Sequence, residues 1–192
     1  MALELKGFDT FHKMMKGGEF ESVFNQFMRR KNRTLRELGK SRLQKEINSG
    51  NFAQNAAATI AIKGSTKPLI DSGTLRSQVG ATGADYGLAF IVGVRRQTGT
   101  GKNLAHMLET GWSQDVTPKM RKWFATQAAK SKGRFKPLSK GTTKIFVPPR
   151  PFMDRAFFED RGFADMVVME WKGVMHQTFM AFVNKGRAER YK

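Results

Sequence analysis

The sequence predicts an α+β fold, in which a long N-terminal helix and a C-terminal helix pack on a small antiparallel sheet as a single domain. Three observations predict it. Apolar residues recur at helical spacing from Glu19 to about Asn48, beginning with Phe20, Val23, Phe24, Phe27 and Met28. Strict alternation follows at Leu75, Ser77, Val79 and Ala81, and again at Tyr86, Leu88, Phe90, Val92 and Val94, the period-2 signature of a half-buried hairpin. A second long helical pattern then runs from Phe163 to Asn184. At 192 residues the chain is long enough to bury a real core as one domain.

Each element has its local reason. Leu3 and Leu5 flank Glu4 as a short edge strand, and Phe8, Phe11, Met14 and Met15 form a helical turn or two stopped by Gly17-Gly18. The Glu19–Asn48 pattern thins out after Leu35, Leu38, Leu43 and Ile47, which stand among basic residues. About 28 residues of helix span roughly 42 Å, more than a small core covers on one side, so the basic second half is expected to project toward solvent or a neighbour. Ser49-Gly50-Asn51 breaks it, and residues 53–62 read as a short helix. Residues 95–103 form a Gly/Thr loop, and 104–109 a short helix closed by Gly111. Thr117 before Pro118 is an N-cap followed by proline at the first helical position, opening a helix to about Lys130. Residues 131–143 read as a mobile basic loop and Lys144–Val147 as a strand. Pro148-Pro149-Arg150-Pro151 is a stiff elbow, since each proline fixes φ and disfavours helix before it. A helix from Phe152 to Phe158 leads into the last one, whose apolar residues cover over half its circumference. One flat contact does not bury them all.

Composition narrows the function. There is no cysteine, which removes disulfides and thiolate chemistry. No apolar run approaches the ~20 residues of a membrane span, and Met1 to Gly18 has no signal-peptide core. Lys plus Arg total 34 against 16 Asp plus Glu, a net charge of +18, which favours polyanions or acidic protein surfaces. The surplus is uneven. No acidic residue stands between Asp115 and Asp154, and the segment from Arg29 to Lys45 is basic apart from Glu37. Lys130, Lys132, Arg134, Lys136 and Lys140 are the candidates for proximity to DNA. Base-stacking aromatics are thin there, with Phe135 alone inside the Lys130–Lys144 stretch.

Enzymatic chemistry is not expected. Gly99-Thr-Gly-Lys102 fails as a phosphate loop, because Arg96 stands where the first glycine belongs and Asn103 replaces the Ser or Thr that would hold magnesium. His12, His106 and His176 lie far apart, and none has a second ligand at metal spacing. No catalytic residue, metal ligand or cofactor site is assigned.

Four short signatures carry a family resemblance. They are Leu3-Glu-Leu-Lys-Gly7-Phe-Asp9, Pro68-Leu-Ile-Asp71-Ser-Gly73-Thr-Leu75-Arg-Ser77, Leu104-Ala-His-Met-Leu-Glu109-Thr-Gly111, and Val147-Pro-Pro-Arg-Pro151-Phe-Met153-Asp-Arg-Ala156-Phe157. In this order the chain resembles the tail-completion (head–tail joining, or neck) proteins of tailed bacteriophages, and Thr117-Pro-Lys-Met-Arg121 is similar to their virion-morphogenesis branch. Ser72, Leu104 and the long 95–103 loop depart from the pattern. The resemblance implies an α+β domain over 1–184 with a basic tail at 185–192. It also implies a cyclic homo-oligomer, expected to be a hexamer, that bridges the head connector to tail-terminator or tail-tube proteins. The expected location is the virion, after assembly in the host cytoplasm, with transient contact to genomic DNA and no membrane partner. The alternative function is a sequence-independent nucleic-acid-binding module. Interface candidates are Arg150, Pro151, Phe152, Met153, Glu109, Trp171 and Met175, with Asp71 and Gly73 stabilising a turn. Arg150, held between prolines, is expected at the surface as a preorganised contact. Glu109 is expected to cap or to pair with a basic neighbour.

Overall fold

The computed structural model describes residues 16–56, 59–60, 66–67, 69, 74–95, 104–131, 136–159 and 162–188. The expected Leu3–Leu5 strand and Phe8–Met15 helix lie outside them, as do Asp71, Gly73, Lys132, Arg134 and most of the 95–103 loop. The elements are α1 (Glu19–Ser49), α2 (Thr74–Ser77), β1 (Val79–Ala84), a 3-10 turn (Asp85–Gly87), β2 (Ala89–Val94), α3 (Leu104–Thr110), β3 (Trp112–Asp115), α4 (Pro118–Lys130), β4 (Lys144–Val147), α5 (Phe152–Phe157) and α6 (Gly162–Ala188). The class is α+β with long N- and C-terminal helices and small antiparallel sheets. Among the described residues there are two two-stranded sheets, β1–β2 and β3–β4.

The chain divides into two compact units. The first holds α1 as far as Gly39, the hairpin from Ala81 to Val92, and α6. Met28, Leu35, Phe163, Val174 and Phe182 are its buried apolar residues. On α6, Val174, Thr178 and Phe182 make an i, i+4, i+8 ridge, one helix face by the 3.6-residue repeat. The hydroxyl of Thr178 is satisfied locally by donating to Val174 O at 2.8 Å. Asn32 is the polar link of this unit. Its amide nitrogen donates to Gly87 O (3.1 Å) and Leu88 O (2.7 Å), while its Oδ1 accepts from Trp171 Nε1 (2.9 Å). One buried side chain thereby joins α1, the hairpin turn and α6. Lys31 and Glu170 pair at 2.7 Å beside it. Gly87 sits at φ +89 against the helix, where a Cβ would come within 3.1 Å of Arg29 Cγ.

The second unit holds α1 from Lys40, then α2, α3, β3, α4, β4 and α5. Leu43, Ile47 and Phe152 are fully buried, and Leu75, Val79, Ala105, Ala128 and Ala156 complete its apolar core. β3 and β4 pair antiparallel from Trp112↔Val147 to Asp115↔Lys144, and Val116 N to Thr143 O extends the ladder. Thr117 caps α4 as expected, its hydroxyl accepting from Met120 N at 3.2 Å. Gly111, at φ +72, turns the chain from α3 into β3. A Cβ there would lie 2.8 Å from Pro149 N and 2.9 Å from Val147 O, so only glycine fits.

Several expectations change. The basic second half of α1 does not project. Leu43 and Ile47 are more deeply buried than Phe20, Val23, Phe24 and Phe27 in the richer first half, and as an i, i+4 pair they share one helix face. Residues 74–77, expected to begin a strand, form the single helical turn α2, and the strand starts at Val79. Residues 53–56 are not helical; the Ala53 carbonyl and the Asn55 side chain serve Arg150 instead. Trp112–Asp115 lacks a strand pattern and is a strand because β4 supplies its hydrogen bonds. The 136–143 part of the basic loop is tied to α4, with Arg121 donating to the carbonyls of Ser139 (2.8 Å) and Thr142. α6 runs to Ala188, four residues into the segment expected as a tail.

Candidate functional site

The Pro-Pro-Arg-Pro elbow is the best-defined of the predicted sites, and it faces inward. The backbone N–H of Arg150 donates to Leu108 O at 2.7 Å, fixing the elbow against the last turn of α3. Arg150 as a whole is 7% exposed, and its guanidinium donates from Nε to Ala53 O (3.1 Å) and from Nη2 to Asn55 Oδ1 (3.2 Å). Asn55 in turn donates to Lys67 O at 3.1 Å. Burial lowers the Arg150 pKa below the ordinary arginine value, since desolvation disfavours the charged form. The expectation of a surface-presented Arg150 is therefore corrected. The prolines stiffen the chain, but the side chain turns to the Ala53 carbonyl and the Asn55 side-chain oxygen, which a five-donor guanidinium is suited to satisfy.

Glu109 caps α5. Its two carboxylate oxygens accept from Met153 N (3.0 Å) and Asp154 N (2.9 Å), donors that the first turn of a helix leaves without partners. Pro151 precedes α5 at its N-cap position, Phe152 is fully buried and Met153 half-buried. Four of the interface candidates, Arg150, Phe152, Met153 and Glu109, thus belong to one internal joint between α3 and α5. Arg155, which the residue reading passed over, extends that joint. It lies 3.3 Å from Glu46 and 3.1 Å from Glu159, donates to Asn51 O, and stands 5.0 Å over the Phe52 ring.

The remaining candidates are on the surface. Trp171 is partly exposed while its indole N–H is held by Asn32, and Met175 is 50% exposed. With Val168 and Phe179 they follow i, i+3, i+7, i+11 along α6, a stripe beside the buried ridge. Met169, 71% exposed, and Met180 widen it. Lys130, Lys136 and Lys140 are exposed on α4 and the loop after it.

Among the described residues no three His, Asp or Glu side chains are grouped to hold a metal ion, and no helix is long and apolar enough to cross a membrane. Comparison with protein-family models, curated proteins and solved structures finds no match to this chain.

Proposed function

We propose that the chain is a structural subunit of the tailed-phage neck, self-assembling into a ring that joins the head connector to the tail. The exposed apolar stripe of α6 carries the reading. Val168, Met169, Met175, Phe179 and Met180 remain between 38% and 71% exposed on one helix of the first unit. A surface of this kind is costly in water, and cyclic homo-oligomers bury it by repeating one interface. The four ordered motifs support the particular setting. Two of them, at 104–111 and 147–157, meet in the α3–α5 joint, which gives their residues a shared structural role.

Sedimentation of the full chain over a wide concentration range tests the reading, with Met175→Glu/Phe179→Glu alongside. The wild type is expected to associate into a closed species, six-fold by electron microscopy, while the variant stays monomeric with an unchanged melting temperature. A wild type that remains monomeric at every concentration, indistinguishable from the variant, overturns it.

A further inference from the structure

We infer that the first unit carries a binding site for single-stranded nucleic acid, built from an arginine face of α1 and the exposed Tyr86 of the β1–β2 turn. Arg29, Arg33 and Arg36 follow i, i+4, i+7 and so share one face of α1, with Arg30 at its edge. With Gly83, Tyr86 and Phe90 they line a groove of about 200 Å³.

Three features distinguish this face from an ordinary solvated charge run. First, among the described residues only one of its four arginines, Arg36, is paired with a carboxylate. Among the described residues Arg29, Arg30 and Arg33 have no carboxylate partner. The buried Nε of Arg36 lacks a hydrogen bond, although Glu37 Oε1 lies 3.5 Å away. Second, Tyr86 is 89% exposed at the groove and is held at φ 52, following Asp85 at φ 47. Consecutive left-handed residues are what a tight hairpin turn requires, and this turn leaves the ring in solvent. No core contact explains the ring. Third, the presentation is rigid: Asn32 holds the Gly87 and Leu88 carbonyls on α1, and Gly87 lets the turn approach the Arg29 stem.

The chemistry selects the ligand. Three guanidiniums line the groove, with Arg30 beside them, and over about 10 Å of helix axis they offer a cationic track to a phosphate backbone. An exposed ring beside such a track stacks on an unpaired base, whereas a duplex keeps its bases stacked on each other. The site uses none of the lysines of the Lys130–Lys140 stretch and does not rest on the neck assignment.

Fluorescence anisotropy of labelled oligo-dT and of a blunt duplex, at about 50 and 200 mM salt, tests the site on the full chain. Arg29→Gln/Arg33→Gln should weaken oligo-dT binding tenfold or more and lower the slope of log K against log salt by about 1.4. Tyr86→Ala should weaken it about 5- to 100-fold and leave duplex affinity unchanged. Lys136→Gln/Lys140→Gln should bind oligo-dT as the wild type does. Circular dichroism checks that each variant is folded, and all five side chains are exposed. The proposal is overturned if the wild type fails to bind oligo-dT at low salt. It is equally overturned if Tyr86→Ala is silent, or if the loss follows the lysines in place of the arginines.

Discussion

Arg150 shows how the same local chemistry serves two opposite ends. Flanking prolines reduce the conformational freedom that a side chain loses on making contacts, whether those contacts are with another subunit or with the chain itself. Here they are internal, so the consequence for mutation reverses from the one a surface arginine would have. Arg150→Ala is expected to destabilise the soluble protein by about 2–4 kcal/mol, because it removes charged hydrogen bonds and strands the Ala53 carbonyl and Asn55. Phe152→Ala is expected to cost about 3–5 kcal/mol through the cavity left at a fully buried ring. Chemical denaturation of both variants checks this. A melting curve for Arg150→Ala that matches the wild type would restore it to the surface.

At the scale of elements, the two motifs around Glu109 and Arg150 act as one joint. α5 is six residues long, too short to be stable by propensity alone, so its first N–H groups depend on the Glu109 carboxylate. The same segment reaches back through Arg150 N to α3. Glu109→Ala should therefore cost about 1–3 kcal/mol by removing two charge-assisted hydrogen bonds. Glu109→Gln, which keeps one acceptor oxygen, should recover part of that loss. Thermal melts of the pair decide it: equal stability of both variants with the wild type would mean that the cap does not hold α5.

For the whole molecule, the net charge of +18 acts on the two proposed associations with opposite sign. Copies of the chain repel one another, so burying the α6 stripe between subunits is opposed electrostatically and eased by screening. Binding to a nucleic acid releases counterions and weakens as salt rises. Raising salt from about 50 to 300 mM should thus promote self-association in sedimentation while it abolishes oligo-dT binding. If both were to weaken together, the subunit contact would be electrostatic, and the apolar stripe would not be its basis.

Much of the local structure was legible in the residues. The apolar repeat of α1, the Thr117-Pro118 start of α4, the β4 strand and the over-apolar face of α6 each follow from spacing and capping rules, which act within a few residues. Glu109 as a capping or pairing group was also readable, from its place beside a glycine turn. Other features depended on partners distant in sequence. β3 exists because β4 lies beside it, and Leu43 and Ile47 are core because neighbours close over them, although charge surrounds them in the sequence. Arg150 turns inward because residues 53–55 offer acceptors there, about a hundred positions earlier. Tyr86 looked like a strand residue from its alternation, yet the left-handed turn places it on the surface beside the arginines of α1. The sequence by itself determined the class of fold, the major helices and the surplus of positive charge, since these depend on composition and short-range periodicity. Only the tertiary structure decided which polar groups are buried and which apolar groups are exposed, because burial depends on what the rest of the chain places opposite each residue.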